Sequence, residues 1–211
     1  MQDIILKNVS RKYGDRTVLD NFSLEAEPGD YISITGESGK GKTTILNIIG
    51  MLDKPDSGYI EICGCKNPSF SDSEAVRLRR YDISYLFQNY GLIDTETVAS
   101  NIAVALRFRK GSSSSKKRLI SKVLEQVGLK GFEKRMIYTL SGGEQQRAAL
   151  AKIIAKSPRI ILADEPTGSL DEQNRNYVLK ILDTLNRRGT TIIIVTHDPF
   201  VASCAKRNIT L

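Results

Sequence analysis

Tyr31-Ile32-Ser33-Ile34-Thr35 runs directly into Gly36-Glu37-Ser38-Gly39-Lys40-Gly41-Lys42-Thr43, and Thr44-Ile45-Leu46-Asn47-Ile48-Ile49-Gly50 follows. The first five residues are β-rich and strand-sized. The next eight fit G-x-x-x-x-G-K-[ST], in which glycines let backbone N–H groups turn inward around phosphate oxygens. From Thr43 to Gly50, the apolar residues Ile45, Leu46, Ile48 and Ile49 predict a helix, stopped in the region of Gly50 and Pro55. That helix presents the positive end of its dipole to the loop. Strand, glycine loop and helix in this order are the context the pattern requires, so the stretch predicts a nucleotide-binding α/β core. Lys42 is then placed to reach the β- and γ-phosphates, and the Thr43 hydroxyl to ligate Mg²⁺. Lys40 either adds a second cation beside the phosphates or points to solvent.

Working outward, Val18–Ala26 reads as a strand closed by the turn Glu27-Pro28-Gly29-Asp30, and Gly58–Ile62 as another. On the far side, Ile160–Ala163 is a short apolar strand, residues 172–187 a helix, and Thr191–Val195 a further strand. Helices between apolar strands imply a parallel sheet with right-handed crossovers. Between residues 72 and 134 the pattern is helical instead, as in Leu119, Ile120, Val123, Leu124 and Val127. The expected organisation is one domain over 1–211, with a helical subdomain and signature region at about 72–158 inserted in the α/β core.

Two carboxylates close the strand Ile160–Ala163. Asp164 falls at the C-terminal edge of the sheet, where it can partner Mg²⁺, and Glu165 is placed to polarise a water for in-line attack on a phosphate. Adjacent acids are common on surfaces, and it is the position after an apolar strand that gives these meaning. His197 is the sole histidine and follows the strand Thr191–Val195. A lone histidine is more often structural than catalytic.

With 211 residues, 40% hydrophobic and 26% charged, the chain has the composition of an ordinary globular domain with a substantial core. No apolar run reaches the roughly 18 residues that cross a bilayer. The N-terminus lacks the basic-then-apolar pattern of a signal peptide. A cytoplasmic protein is expected, any membrane role coming through another polypeptide. Cys63 and Cys65 lack a second Cys/His pair and read as thiols rather than half a metal site. The net charge of +7 concentrates at Arg107–Arg118, with six basic residues and no acid. No nucleic-acid motif accompanies it, so a solvated loop with a flexible Ser-rich centre is expected, attraction to an anionic membrane being a further reading.

Upstream of the Asp-Glu strand stands Leu140-Ser141-Gly142-Gly143-Glu144-Gln145-Gln146-Arg147. Together with the glycine loop, this order resembles the ATP-binding-cassette (ABC) ATPases, over nearly the whole chain. The resemblance implies a P-loop NTPase core with a mostly parallel sheet, N-terminal antiparallel strands and an inserted helical subdomain. It implies an ATPase with ATP and Mg²⁺ as cofactors. Nucleotide-binding positions would be Tyr13, stacking on adenine, Gly36, Glu37, Ser38, Gly39, Lys40, Gly41, Lys42, Thr43 and Thr44. Gln88 in Tyr85-Leu86-Phe87-Gln88 would contribute to Mg²⁺ and water geometry alongside Thr43 and Asp164, and His197 would contact the γ-phosphate beside Glu165. Ser141, Gly142, Gly143 and Glu144 open a helix and form a second phosphate-binding start, which one chain does not need for one triphosphate. In the family, two cassettes pair head to tail and each signature caps the other's ATP. Ser169-Leu170-Asp171 matches the loop that crosses that interface.

The resemblance further implies a homodimer formed on ATP, a separate transmembrane permease, a peripheral place at the inner face of the membrane, and no nucleic acid. Asn47–Asp53 and Leu140–Arg147 look most like the small bacterial cassettes of macrolide and peptide export, lipoprotein release and cell division, and Phe87–Ile93 followed by Thr97–Ile102 looks closest to bacteriocin-type export cassettes. A non-transport ABC ATPase, such as a cell-division regulator, and a P-loop nucleotide kinase stand as alternatives, the kinase having no need of the Ser-Gly-Gly signature.

Overall fold

The computed structural model describes residues 2–211 other than Phe70 and Ser169. Three strands and a helix come first: β1 (Ile4–Tyr13), β2 (Arg16–Ala26), β3 (Tyr31–Thr35) and α1 (Lys42–Ile49). They are followed by β4 (Ser57–Ile62), β5 (Cys65–Lys66), α2 (Ser73–Tyr81) and β6 (Ile83–Leu86). A helical stretch of α3 (Val98–Ala105), α4 (Ser113–Gln126) and α5 (Gly142–Lys156) comes next. The chain closes with β7 (Ile160–Asp164), α6 (Glu172–Arg187), β8 (Thr191–Val195), α7 (Pro199–Ser203) and β9 (Arg207–Thr210).

These strands form two sheets. β2-β1-β4-β5 is antiparallel, and β6-β7-β8-β3-β9 is parallel. Alternation along the parallel strands divides the core in two, because successive side chains leave opposite faces. Ile32, Ile34, Ile160, Leu162, Ile193 and Val195 face α1 and the antiparallel sheet. Tyr31, Ile161, Ala163, Ile192 and Ile194 face the helices α3 to α6. A sheet buried on both faces accounts for strands that read as continuous apolar runs.

Two features depart from the sequence reading. The stretch from residue 72 read as helical contains β6, which pairs in parallel with β7 from Ile83↔Ile160 to Leu86↔Ala163. Four residues are too short for alternation to declare a strand. The Ser-rich centre of Arg107–Arg118, expected as a flexible loop, instead starts a helix. Ser112 caps α4, its hydroxyl accepting from the Ser115 N–H at 3.2 Å. Serine runs favour this role because their hydroxyls satisfy the open N–H groups of a first turn.

Candidate active site

The phosphate loop joins β3 to α1 at the C-terminal edge of the parallel sheet, where open α/β sheets hold ligands. Gly41 adopts φ 87°, and a Cβ there would stand 2.7 Å from both Leu19 Cδ2 and the Val18 carbonyl. Only glycine permits that approach to β2. Lys42 is buried, and its ammonium donates to the carbonyls of Gly36 at 2.8 Å and Glu37 at 2.7 Å. The loop is thus folded around its own lysine, with a cation at its centre.

The Asp164 carboxylate ends β7 and accepts from the Thr43 hydroxyl at 3.3 Å. Burial pushes the Asp164 carboxyl above its ordinary range, against the opposing hydrogen bond from Thr43. A carboxylate and a hydroxyl side by side are hard oxygen donors of the kind Mg²⁺ takes, and a cation relieves the cost of the half-buried charge. The residues present therefore fit the metal.

Glu165 is held from three sides. Its backbone N–H donates to the Val195 carbonyl at 2.9 Å. Oε1 meets His197 Nδ1 at 2.8 Å, and Oε2 accepts from the Thr196 hydroxyl at 3.2 Å. Its φ of +43° is uncommon for a residue with a Cβ and marks a turn that aims the side chain off the strand end.

Lys42, Thr43, Asp164, Glu165, Gln88 and His197 line one cleft of about 380 Å³ with Ser38, Gly39, Gly41 and Thr44. Val18 and Val195 complete its wall, and neither is marked by any motif. Thr196, fully buried and bonded to Glu165, is the other residue the sequence reading passed over. Its position beside His197 at a strand end was the available signal.

Other expected residues lie outside this cleft. Lys40 is exposed and does not line it. Tyr13 ends β1, its hydroxyl donating to Asp53, and Arg11 lies over the ring at 4.7 Å. Arg11 is itself fixed to Asp53 at 2.7 Å and Asp56 at 2.8 Å, so one face of the ring is covered.

None of Ser141, Gly142, Gly143 and Glu144 lines the cleft either. They begin α5 in a capping box. Glu144 Oε2 accepts from the Ser141 N–H at 2.8 Å and hydroxyl at 2.9 Å, and the Ser141 hydroxyl accepts from the Glu144 N–H. The backbone bond from Ser141 holds the Glu144 carboxyl below its ordinary range. Glu144 thus shapes the helix start with its carboxylate turned back on Ser141. A Cβ at Gly143 would stand 2.9 Å from the Asn174 side-chain amide of α6, so the two helix starts meet closely there. Gln146, buried, donates to the Pro166 carbonyl at 2.6 Å and ties α5 to the turn after Glu165. Ser169, expected in the loop that crosses the interface, lies outside the described residues. Asp171 caps α6, accepting from the Asn174 N–H at 2.8 Å.

A parallel sheet with a glycine loop after β3, paired acids after β7 and a histidine after β8 defines a P-loop ATPase, here with a second helix start set apart from the cleft. The chain matches the ABC transporter family over residues 19–168 and belongs to it. It is 42% identical over 212 residues to the macrolide export ATP-binding/permease protein MacB of Escherichia coli, covering 99% of this chain and 33% of that protein. It is 38% identical over 208 residues to the uncharacterized ABC transporter ATP-binding protein YknY of Bacillus subtilis, covering 97% of this chain and 90% of that one. The chain therefore spans about a third of the length of MacB and most of YknY. Among solved structures, the dimeric bacterial ABC transporter cassette MJ0796 superposes with a TM-score of 0.90 at 38% identity, covering 99% of this chain and 94% of that one. A post-hydrolysis dimer of the same cassette, bound to ADP and Pi, gives 0.89. The chain is an ABC ATPase cassette: it binds nucleotide and hydrolyses ATP to ADP and phosphate. No described helix is long and apolar enough to cross a membrane.

Proposed function

We propose that two copies of this chain close on two ATP molecules and drive a separate transmembrane permease that exports a peptide, bacteriocin, drug or lipoprotein-type substrate. The single observation behind this reading is the separation of the signature start at Ser141–Glu144 from the cleft that holds Lys42, Asp164 and Glu165. A helix start is built to receive an anion, and one outside its own chain's phosphate site is available to a second copy. The dimeric state of the similar cassette supports the same geometry. The export reading rests on MacB, and the working place would be the inner face of the membrane.

Within each cleft, Lys42 would exchange the carbonyls of Gly36 and Glu37 for phosphate oxygens, and loop N–H groups would hold the rest of the triphosphate. Thr43 and Asp164, with Gln88 nearby, would hold Mg²⁺, which supplies charge neutralisation at the β- and γ-phosphates. Glu165 would accept a hydrogen bond from the attacking water. With Nδ1 of His197 on Glu165, its other ring nitrogen, Nε2, is left to face the γ-phosphate. Tyr13 would offer adenine the ring face that Arg11 leaves open. Gly142 and Gly143 would bring backbone N–H groups to the partner's γ-phosphate, with Ser141 adding its hydroxyl.

Glu165→Gln tests the chemistry. Turnover is expected to fall at least about a hundredfold while ATP affinity stays within about threefold of the wild type. Rapid hydrolysis by that variant would remove Glu165 from its role.

A further inference from the structure

Arg16 opens β2, and no motif marks it. Its guanidinium donates from Nη2 to the Gly39 carbonyl at 3.3 Å. A Cβ on Gly39, which adopts φ 81°, would stand 2.9 Å from the same nitrogen. The guanidinium therefore lies against the backbone of the phosphate loop itself. Strand pairing sets Arg16 beside Tyr13. Gly14 and Asp15 turn the chain from β1 to β2, and Tyr13 and Arg16 are the first pair across that turn. Directly opposed residues send their side chains to one face of a sheet, about 5 Å apart at Cβ. Two residues on, Val18 lines the ATP cleft, and Val18 and Leu19 both come close to Gly41. The start of β2 thus forms a wall running from the ring of Tyr13 to the phosphate loop. Its base is firm, because Arg11 is tied to Asp53 and Asp56, and the Lys12 N–H donates to Asp56 at 2.7 Å.

The charge on Arg16 is exposed and unopposed. Among the described residues no carboxylate pairs with it. A carbonyl dipole satisfies a hydrogen bond without neutralising the charge, and an anion is the stronger partner for a guanidinium. Lys42 is held in the same way, on the carbonyls of Gly36 and Glu37. The loop therefore carries two cations on its backbone oxygens, one buried at its centre and one exposed beside it.

We propose that Arg16 is a nucleotide-binding residue whose guanidinium leaves the Gly39 carbonyl to pair with the α-phosphate. The order of contacts decides which group it meets. With the base on Tyr13 and the β- and γ-phosphates at Lys42 and Thr43, the ribose and the α-phosphate cross the stretch between them, where Arg16 stands. Of these two, the phosphate is what a guanidinium takes, through parallel N–H bonds to two oxygens. In this role Arg16 fastens the joint between base and phosphates, and it leaves the reacting γ-phosphate to Lys42, Glu165 and His197. The inference rests on the reading of Tyr13 as the adenine platform.

Calorimetric titration of ADP and Mg²⁺ into the full chain is the test, since ADP keeps the α-phosphate and lacks the γ. Arg16→Gln retains an amide donor for the Gly39 carbonyl and removes the charge. Its affinity for ADP should fall about tenfold, the size of one charge-assisted contact. Arg16→Lys, which keeps the charge, should recover part of that loss, and the loss should be the same with 2′-deoxy-ADP. In steady-state hydrolysis, KM for ATP should rise by a similar factor while kcat changes less than about twofold, as for a contact made equally before and in the transition state. Unchanged ADP affinity in Arg16→Gln would overturn the proposal and leave Arg16 a brace between β2 and the loop. A loss seen with ADP and absent with 2′-deoxy-ADP would put the guanidinium on the ribose and overturn it equally. Tyr13→Ala, titrated in parallel, reads the platform separately: normal ADP affinity there would remove the adenine contact on which the path past Arg16 depends.

Discussion

Thr196 has no exposed surface, yet its hydroxyl bonds Glu165 Oε2 at 3.2 Å and accepts the Asp198 N–H at 3.1 Å. It therefore fixes one carboxylate oxygen while His197 meets the other at 2.8 Å. Replacing Thr196 by valine keeps the shape, removes the donor and leaves the carboxylate held by His197 alone. We expect kcat to fall about tenfold with KM for ATP little changed, since a positioning bond of this kind acts on geometry at the reacting centre. Thr196→Ser should restore most of the rate, and steady-state phosphate release is the measurement. Asp164, Glu165 and His197 were legible as neighbours because each follows an apolar strand, and parallel strands end on one edge. Thr196 was not, because a hydroxyl in a strand-end run carries no pattern of its own. Tyr13 was marked only by the resemblance, and its anchoring by Asp53 and Arg11 spans some forty positions that no local pattern joins.

At the scale of elements, long periodic segments were the easiest to read. The helix expected over 172–187 coincides with α6, and the strand over 191–195 with β8. Short buried strands and capped helix starts were harder. β6 is four residues long, and only its pairing with β7 makes it a strand. The serines of 112–115 look like a linker by composition, and one hydrogen bond to the Ser115 N–H makes them a helix start instead. Removing that cap with Ser112→Ala should cost about 1 kcal/mol of stability, measured by urea unfolding, with ATPase activity at 25 °C unchanged. A variant as stable as the wild type would return the segment to a passive loop. The capping box at Ser141 and Glu144 follows the same physics at the helix start proposed to meet a second copy. There the Ser-x-x-Glu spacing was visible in the sequence, although the resemblance had assigned Glu144 to nucleotide binding.

Across the whole molecule, the antiparallel sheet is joined to the parallel one through Asp3. That side chain is fully buried just before β1, and it accepts from the Arg159 guanidinium before β7 and from the Thr191 hydroxyl of β8. Asp3→Ala removes both bonds at once, but the Thr191 hydroxyl keeps the Glu27 carbonyl at 3.2 Å and Arg159 reaches solvent, so the change should destabilise the fold by about 2 kcal/mol in a denaturant titration. A loss under about 1 kcal/mol would show that the sheets need no such joint. This long-range pairing was invisible in the sequence, whereas the two-motif order that defines the architecture was visible throughout. The same two motifs pose the question of assembly, since within one chain the signature start does not reach the cleft.

Light scattering on two variants answers it most directly. With ATP and Mg²⁺, Glu165→Gln should form a stable dimer. Glu165→Gln combined with Ser141→Arg should bind ATP with the same affinity and remain a monomer, because bulk and positive charge are placed where one copy meets the other's phosphate. ATP-driven dimerisation of the double variant would contradict the two-copy site.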